Sequence, residues 1–473
     1  MAIILGIDIG TQSVKTGIFG VNTGDLLHIS NRSYQSGAFQ SPDEIWNAAL
    51  DAVSETIAKC KDAKNILAIG LSGQMHGTVI YDKNDNILTD IINWQDETCN
   101  QPLARYGGRT TIDRMLELMG TEGQGDLGID MMSSGFMGAT LFYLMENNPE
   151  LFARIEHVLP PTDFIRRRLI GGGDYATDPT NAFATGVFNT RLGKWHEEII
   201  QKLRLPLKIF PDVVETTHIA GNICSSAAHR TGLKEGTPVV TGGGDNLMAI
   251  IGSGAYAPGS PLCINIGTSS QVCAVVPHYI KIDGIDTRSF IGGNFALVYA
   301  GLTGGKCYTW LRNILLDDTT TVCRMRPPSE NIFKLLDRLA EKIPPGCDGL
   351  QFTPTLRGTR RNPSLRGDFT GIGENNFTLA HRARAVMEGV VKELHDAYTL
   401  MKGVDSQSIV GAGNGLASSE LWCRITAEIF NMPLKIAETE NAVRGAAIVA
   451  AVGIGVMKYD DIKIKYSKII EPT

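Results

Sequence analysis

Gly6-Ile-Asp-Ile-Gly-Thr-Gln-Ser-Val14 recurs in altered form as Ile264-Asn-Ile-Gly-Thr-Ser-Ser-Gln-Val272. Each copy is an apolar, β-branched run followed by Gly-Thr and a polar turn. Such a run predicts a buried strand, and Gly10 and Gly267 permit a tight turn with no Cβ in the way. The hydroxyls and backbone N–H groups that follow can point at an anion held in the turn. One copy alone reads equally well as an ordinary buried strand ending in glycine. Two copies argue for two similar halves facing each other across a cleft, each gripping one end of a polyphosphate. The copies also differ. Asp8 in the first can orient Mg²⁺ and its waters, where the second has the neutral Asn265. The pair predicts phosphoryl-transfer chemistry.

A chain of 473 residues is too long for one hydrophobic core and fits two domains of about 230 residues. The boundary is expected in the glycine-rich stretch 242–254, giving domains 1–246 and 247–473. Hydrophobic residues at 43% and charged residues at 20% suit a soluble globular protein. A net charge of −6, with no basic patch interleaved with aromatics, argues against nucleic acid or a membrane surface as partner. The run Arg166-Arg-Arg168 reads as a solvated helix end. The 9 cysteines are scattered, without a C-x-x-C pair or Cys/His cluster, which predicts reduced thiols in the cytoplasm. The chain enters a predicted strand at once, so no signal peptide is expected. The apolar stretch from Gly445 to Met457 is too short to span a bilayer and reads as a tightly packed buried helix.

Strands and helices alternate through the first third. Ala2 to Ile9 is a predicted strand, paired through the Gly-Thr turn with Thr16 to Phe19. Ser41-Pro-Asp-Glu44 is a helix start, after which Ile45, Ala48, Ala49, Ala52, Val53 and Ile57 share one face. Ile66 to Leu71 is a buried strand running into Ser72-Gly-Gln-Met-His-Gly77. This rhythm predicts an α/β architecture. Residues from about Leu103 to Pro211 are less regular and read as an insertion closing one side of the site. The rhythm restarts at Pro238. A long amphipathic helix is predicted over Thr378 to Met401, and Gly411-Ala-Gly-Asn-Gly415 is expected to open the helix that holds Trp422.

Asp245 ends the turn Gly242-Gly-Gly-Asp245, where glycines let the backbone approach a ligand and hold one carboxylate at a strand mouth. A carboxylate there can accept the proton of an attacking hydroxyl. The alternative is an Asp that caps the helix beginning at Asn246. Gln74, Met75 and His76 follow a strand C-terminus, where ligands gather in open α/β sheets. An amide with an imidazole reads sugar hydroxyls without fixed charge. Trp94-Gln-Asp96 offers an aromatic platform and a carboxylate acceptor for a polyol. Asp163 and Asn181 are weaker candidates of the same kind.

Together these segments resemble the FGGY carbohydrate kinases of the actin-like (ribonuclease-H-like) ATPase superfamily. The resemblance covers about residues 3 to 453. It rests on the first phosphate motif at Gly6, the Ser72–Gly77 sugar motif, Gly243-Gly-Asp-Asn246 and Asn265-Ile-Gly-Thr268. Asp348-Gly-Leu-Gln-Phe352 with Pro354, Gly358 and Arg366-Gly-Asp-Phe369 matches a longer family signature, and Gly445-Ala-Ala447 the closing helix. The resemblance implies two actin-like domains around a catalytic cleft and ATP-dependent phosphorylation of a ketose at its terminal hydroxyl. It implies Asp245 as base, and sugar contacts from Gln74, Met75, His76, Trp94, Asp96, Asp163 and Asn246. Mg²⁺·ATP is then held by Asp8 and Asp245 at the metal. Gly10, Thr11, Gln12, Ser13, Lys15, Gly267 and Thr268 surround the phosphates, with Gly304, Gly305, Gly411, Gly413 and Asn414 toward the adenosine. The partners implied are a small sugar and ATP; a homodimer is compatible with them.

Within the family, Trp94-Gln-Asp-Glu-Thr-Cys99 is similar to the W-Q-D-G-R-C run of the sedoheptulose enzymes, and the loop Gly411 to Ser419 resembles theirs in its extended form. That implies sedoheptulose giving sedoheptulose 7-phosphate, with D-xylulose as the alternative. Two readings from other classes are an actin-like ATPase without a sugar, and a silent sugar sensor. The first has no reason to carry the Gln-Met-His and Gly-Gly-Gly-Asp constellations; intact Asp8 and Asp245 speak against the second.

Overall fold

Both quoted segments form the first hairpin of a sheet. The structure, a computed structural model, describes residues 2–327, 329–437 and 440–472. In the first hairpin β1 (Ile3–Ile9) pairs antiparallel with β2 (Ser13–Gly20), setting Asp8 opposite Lys15. β3 (Leu26–Ser33) continues the meander, and β4 (Ile66–Gly73) joins β1 from the other side, in parallel. With β5 (Ile219–Asn222) and β6 (Pro238–Val240) the order is β5-β6-β4-β1-β2-β3.

The second sheet repeats this plan. Its strands are β7 (Leu262–Ile266), β8 (Ser270–Val276), β9 (Asp286–Ser289), β10 (Phe295–Gly301), β11 (Ile409–Ala412), β12 (Leu434–Ala437) and β13 (Tyr466–Ile470). They run β9-β10-β8-β7-β11-β12-β13. The cores β3-β2-β1-β4-β6 and β10-β8-β7-β11-β12 are each an antiparallel meander with two parallel strands added beside its first strand. The duplicated α/β fold expected from the two hairpins is present.

Helices cover these sheets. α1 (Pro42–Lys59) starts where expected, with Ser41 Oγ accepting the Glu44 N–H, and its predicted apolar face is buried. α2 (Asp245–Gly252) leads between the sheets, α3 (Gly305–Asp317) follows β10, and α4 (Leu379–Leu400) packs on the second sheet. α5 (Asn441–Gly453) comes late in the chain but packs on β1, β4 and α2 of the first half. Close approach explains its small residues. A Cβ on Gly70 would lie 1.9 Å from the Ala446 carbonyl oxygen, and one on Gly445 would lie 1.8 Å from that of Met248. No helix among the described residues is long and apolar enough to cross a membrane.

The insertion bridges the halves. Gly128 O accepts the Thr287 N–H at 2.7 Å, and Asp130 Oδ1 accepts the Gly284 N–H at 2.8 Å. Two local expectations are corrected. Arg166 is not solvated: it is buried, at 2.6 Å from the buried Asp163, because its helix (Pro161–Leu169) turns that face inward. The glycine run at 411–415 opens only a short helix, Asn414–Ser418. Ser419 then breaks and caps Glu420–Phe430, which carries Trp422, accepting the Trp422 N–H at 3.2 Å.

Candidate functional site

Strands of the two hairpins line one space. Gly10 N–H donates to Ser13 O at 3.0 Å, and Gly267 N–H to Ser269 O at 2.9 Å, so the second turn is tighter. Asp8 and Lys15 are cross-strand partners, as are Asn265 and Gln271. A cavity of about 360 Å³ is lined by Asp8, Lys15, Asn246, Asn265, Gly413 and Asn414. Burial raises the Asp8 carboxyl, opposed by a 2.8 Å hydrogen bond from Ser72 Oγ and by the charge of Lys15. Lys15 is shared with Glu440, whose carboxylate lies 2.8 Å from its Nζ.

Neighbours hold each turn in shape. Gly10 O accepts the Tyr34 hydroxyl, Gln12 O accepts the Tyr34 N–H at 3.2 Å, and Thr11 Oγ1 accepts the Trp94 indole N–H at 2.9 Å. Ser13 begins β2. On the other side Gly304 N–H donates to Thr268 O at 3.0 Å, and Gly305 N–H to Gly267 O at 2.8 Å. Gly411 pairs with Ile264, and Gly413 has φ +88°, with a would-be Cβ 2.3 Å from Asn265 Oδ1. Only glycine fits there.

A second cavity of about 500 Å³ touches Gly267, Thr268, Gly305 and Asn414 and continues to Tyr308, Phe333, Asp337 and Trp422. The ring of Tyr308 lies 5.8 Å from that of Phe333 and 5.5 Å from that of Trp422. Tyr308 Oη donates to Asp337 Oδ1 at 2.8 Å. Aromatic faces beside a polar edge suit a flat heterocycle. The sequence reading missed Tyr308, Phe333 and Asp337, since at helical spacing they look like core.

The Gln74–His76 turn stands beside the first hairpin turn. Gln74 Nε2 donates to Gln40 Oε1 at 2.9 Å, and Gln40 Nε2 donates to Thr11 O at 2.7 Å. His76 stacks on Phe136 at 4.4 Å, and its Nδ1–H donates to Ala184 O at 3.0 Å. Burial, then the charge of Arg288, pushes the His76 imidazole down to about 4. At neutral pH it is uncharged, leaving Nε2 as an acceptor. Met75 packs against Gly244.

Asp245 is the first residue of α2, after Gly244 as N-cap, so it does not cap the helix from outside; its Oδ1 accepts the Asn246 N–H at 2.7 Å. Burial, then the negative charge of Asp8, pushes its carboxyl up to about 7. Asn246 crosses to the other half: its Nδ2 donates to Gln271 Oε1 at 2.8 Å, and its Oδ1 accepts from Arg288 at 2.9 Å. Arg288, a buried residue on β9, carried no sequence signal.

Trp94 is 48% exposed beside Thr11. Asp96 is buried, and one of its oxygens accepts the Thr98 N–H at 3.2 Å. Asp163 is set apart from the cleft surface, fully buried in its pair with Arg166. Asn181 is fully buried, between Thr180, whose hydroxyl accepts the Gly244 N–H at 2.8 Å, and Phe183. Among the described residues, Gln74 Oε1, both amide atoms of Asn181 and Arg288 Nε are buried without hydrogen-bond partners. Such orphaned groups are costly unless something binds them.

Comparison with known proteins agrees with this arrangement. Residues 3–252 match the N-terminal domain of the FGGY family of carbohydrate kinases, and residues 262–454 match its C-terminal domain. A xylulose kinase of Bacillus subtilis is 30% identical, the match covering 96% of this chain and 89% of that protein. A gluconokinase of the same organism is 27% identical, covering 96% and 88%. Among solved structures, a gluconate kinase from Lactobacillus acidophilus superposes with a TM-score of 0.86 at 22% identity, covering 100% of this chain and 94% of that one. A ligand-bound xylulose kinase from the same organism gives 0.84 at 23%, with the same coverage. Paired glycine turns, the Gln74–His76 turn and a carboxylate at the head of α2 thus come together in a chain that belongs to the FGGY family of carbohydrate kinases.

Proposed function

We propose that this ATP-dependent sugar kinase phosphorylates the terminal hydroxyl of a ketose, sedoheptulose first among them. The observation that carries the sugar-acceptor reading is the group of orphaned polar atoms at Gln74, Asn181 and Arg288 around Met75 and Gly244, next to Asp245. The Trp94–Cys99 run and the extended Gly411–Ser419 loop favour sedoheptulose. D-xylulose is the second reading, favoured by the xylulose kinases among the relatives.

Asp8 and Asp245 fit a Mg²⁺ ion, since the charge of one already raises the carboxyl of the other, an expense that a dication offsets. When bound, Mg²⁺ supplies neutralisation of charge on the phosphates. Gln74, the neutral His76 and Asp96 orient the sugar. Asp245 takes the proton as the hydroxyl oxygen attacks the terminal phosphorus, and ADP departs. The turns at Gly10–Ser13 and Gly267–Thr268 hold the phosphates, with the base between Tyr308, Phe333 and Trp422. Contact of the two halves across Asn246 excludes water, which would compete as acceptor. The reaction belongs in the cytoplasm, where the free cysteines stay reduced.

ADP release measured across a panel of C5 to C7 ketoses and polyols tests this. Sedoheptulose should give the highest kcat/KM. A value for D-xylulose at or above it overturns the choice of sugar and leaves the kinase.

A further inference from the structure

Arg288 belongs by chain to the C-terminal sheet but projects into the N-terminal sugar turn. Its NH1 donates to Asn246 Oδ1 at 2.9 Å and approaches Met75 Sδ at 3.9 Å. The guanidinium carbon stands 5.5 Å from the ring centre of Phe183. Its NH2 donates to Asp286 Oδ2 at 2.9 Å. The side chain is 7% exposed, and Nε–H has no acceptor among the described residues.

An arginine kept only to tie two halves together would be expected to spend its fork on a bidentate carboxylate. Here Asp286 takes one nitrogen, and the rest of the head faces the groups proposed to hold sugar. A buried guanidinium with more donors than acceptors is unfavourable until an oxygen arrives. The charge nearby decides which oxygen. Asp286 already balances Arg288. A sugar carboxylate would bring an uncompensated charge into a buried site, whereas a hydroxyl or carbonyl would not.

Resting on the ketose-kinase reading, we propose that Arg288 is the sugar ligand contributed by the C-terminal half, donating to a hydroxyl or carbonyl oxygen, and that its pairing with Asp286 selects uncharged sugars over sugar acids. Sugar then bridges the two halves as it binds.

The test uses the full chain with Arg288→Ala, Arg288→Lys and Asp286→Asn. Sedoheptulose, D-xylulose and gluconate serve as acceptors, and thermal melting confirms folding. In Arg288→Ala the ketose KM should rise roughly 10- to 100-fold, as expected for loss of a charged hydrogen bond. The KM for ATP should stay within about twofold, and added guanidinium ion should restore part of the loss. Arg288→Lys keeps one donor and should fall between; it decides the matter if the alanine variant does not fold. Asp286→Asn unbalances the guanidinium and should raise gluconate use relative to ketose. A folded Arg288 variant with unchanged ketose KM, or with equal losses for sugar and ATP and no rescue, overturns the role of Arg288 while leaving the ketose reading intact. Wild-type protein that uses gluconate better than either ketose overturns the selection of uncharged sugars together with the ketose reading.

Discussion

Lowering the pH through neutrality should protonate the proposed base, and with it the neighbouring Asp178, which burial likewise pushes up to about 7. Asp245 is pushed up to about 7, while His76 is pushed down to about 4 and keeps its charge state over most of that range. If Asp245 takes the hydroxyl proton, kcat/KM for the sugar follows its ionised fraction and falls on an acid limb, which bound Mg²⁺ moves below the metal-free value of about 7. Asp245→Asn keeps the shape and removes the acceptor; turnover should drop by ~10²–10⁴, and the acid limb should vanish. The assay is direct quantification of sugar phosphate at saturating ATP and low sugar, which avoids coupling enzymes with pH profiles of their own. Stability should move the other way. A carboxyl raised in the folded state favours folding at acid pH, and that contribution is lost as pH rises through about 7, so Asp245→Asn should melt higher than wild type in alkaline buffer. An Asp245→Asn protein with near-normal turnover, or one that keeps the acid limb, would refute the assignment.

Three further outcomes are expected. Asp8→Ala should weaken productive use of Mg²⁺·ATP, with partial recovery at raised Mg²⁺; unchanged activity at limiting Mg²⁺ would make Asp8 purely structural. His76→Ala should raise the sugar KM far more than that of ATP, because a site built for a hydroxyl leaves its polar groups unpaired without one; steady-state kinetics with each substrate varied will show whether it does. Gly445→Ala would drive a methyl to 1.8 Å from the Met248 carbonyl oxygen, so it should lower the melting temperature and, by shifting α2 and Asp245, reduce kcat. A variant equal to wild type in both would mean the helix crossing is looser than described.

Most of the fold could be read because its signals are local. The hairpins at Gly10 and Gly267 contain their own turns, α1 announces itself with Ser41 and Pro42, and Thr378 caps α4 as its spacing implies. The parts of the site built from one strand–turn unit were equally legible: Asp8, the Gln74–His76 turn and Asp245 all stand at strand ends. What escaped depends on partners distant in sequence. Arg288 is one polar residue in a short edge strand, and only the crossing of the halves brings it to Asn246. Arg166 looked solvated because a run of three arginines hides which one faces inward; Asp163 three residues earlier decides it. Tyr308, Phe333 and Asp337 come from two helices that meet only after folding.

The position of α5 has a bearing on how the protein is made. The sheet it covers is built from residues 3–240, yet the helix that lies on Gly70 and packs with α2 starts only at Asn441. A ribosome adding 5–20 residues per second needs roughly 10–40 s to traverse the intervening ~200 residues. Throughout that interval one apolar face of the nascent first half has no cover of its own. Fragments released from ribosomes stalled before Asn441 should therefore be aggregation-prone.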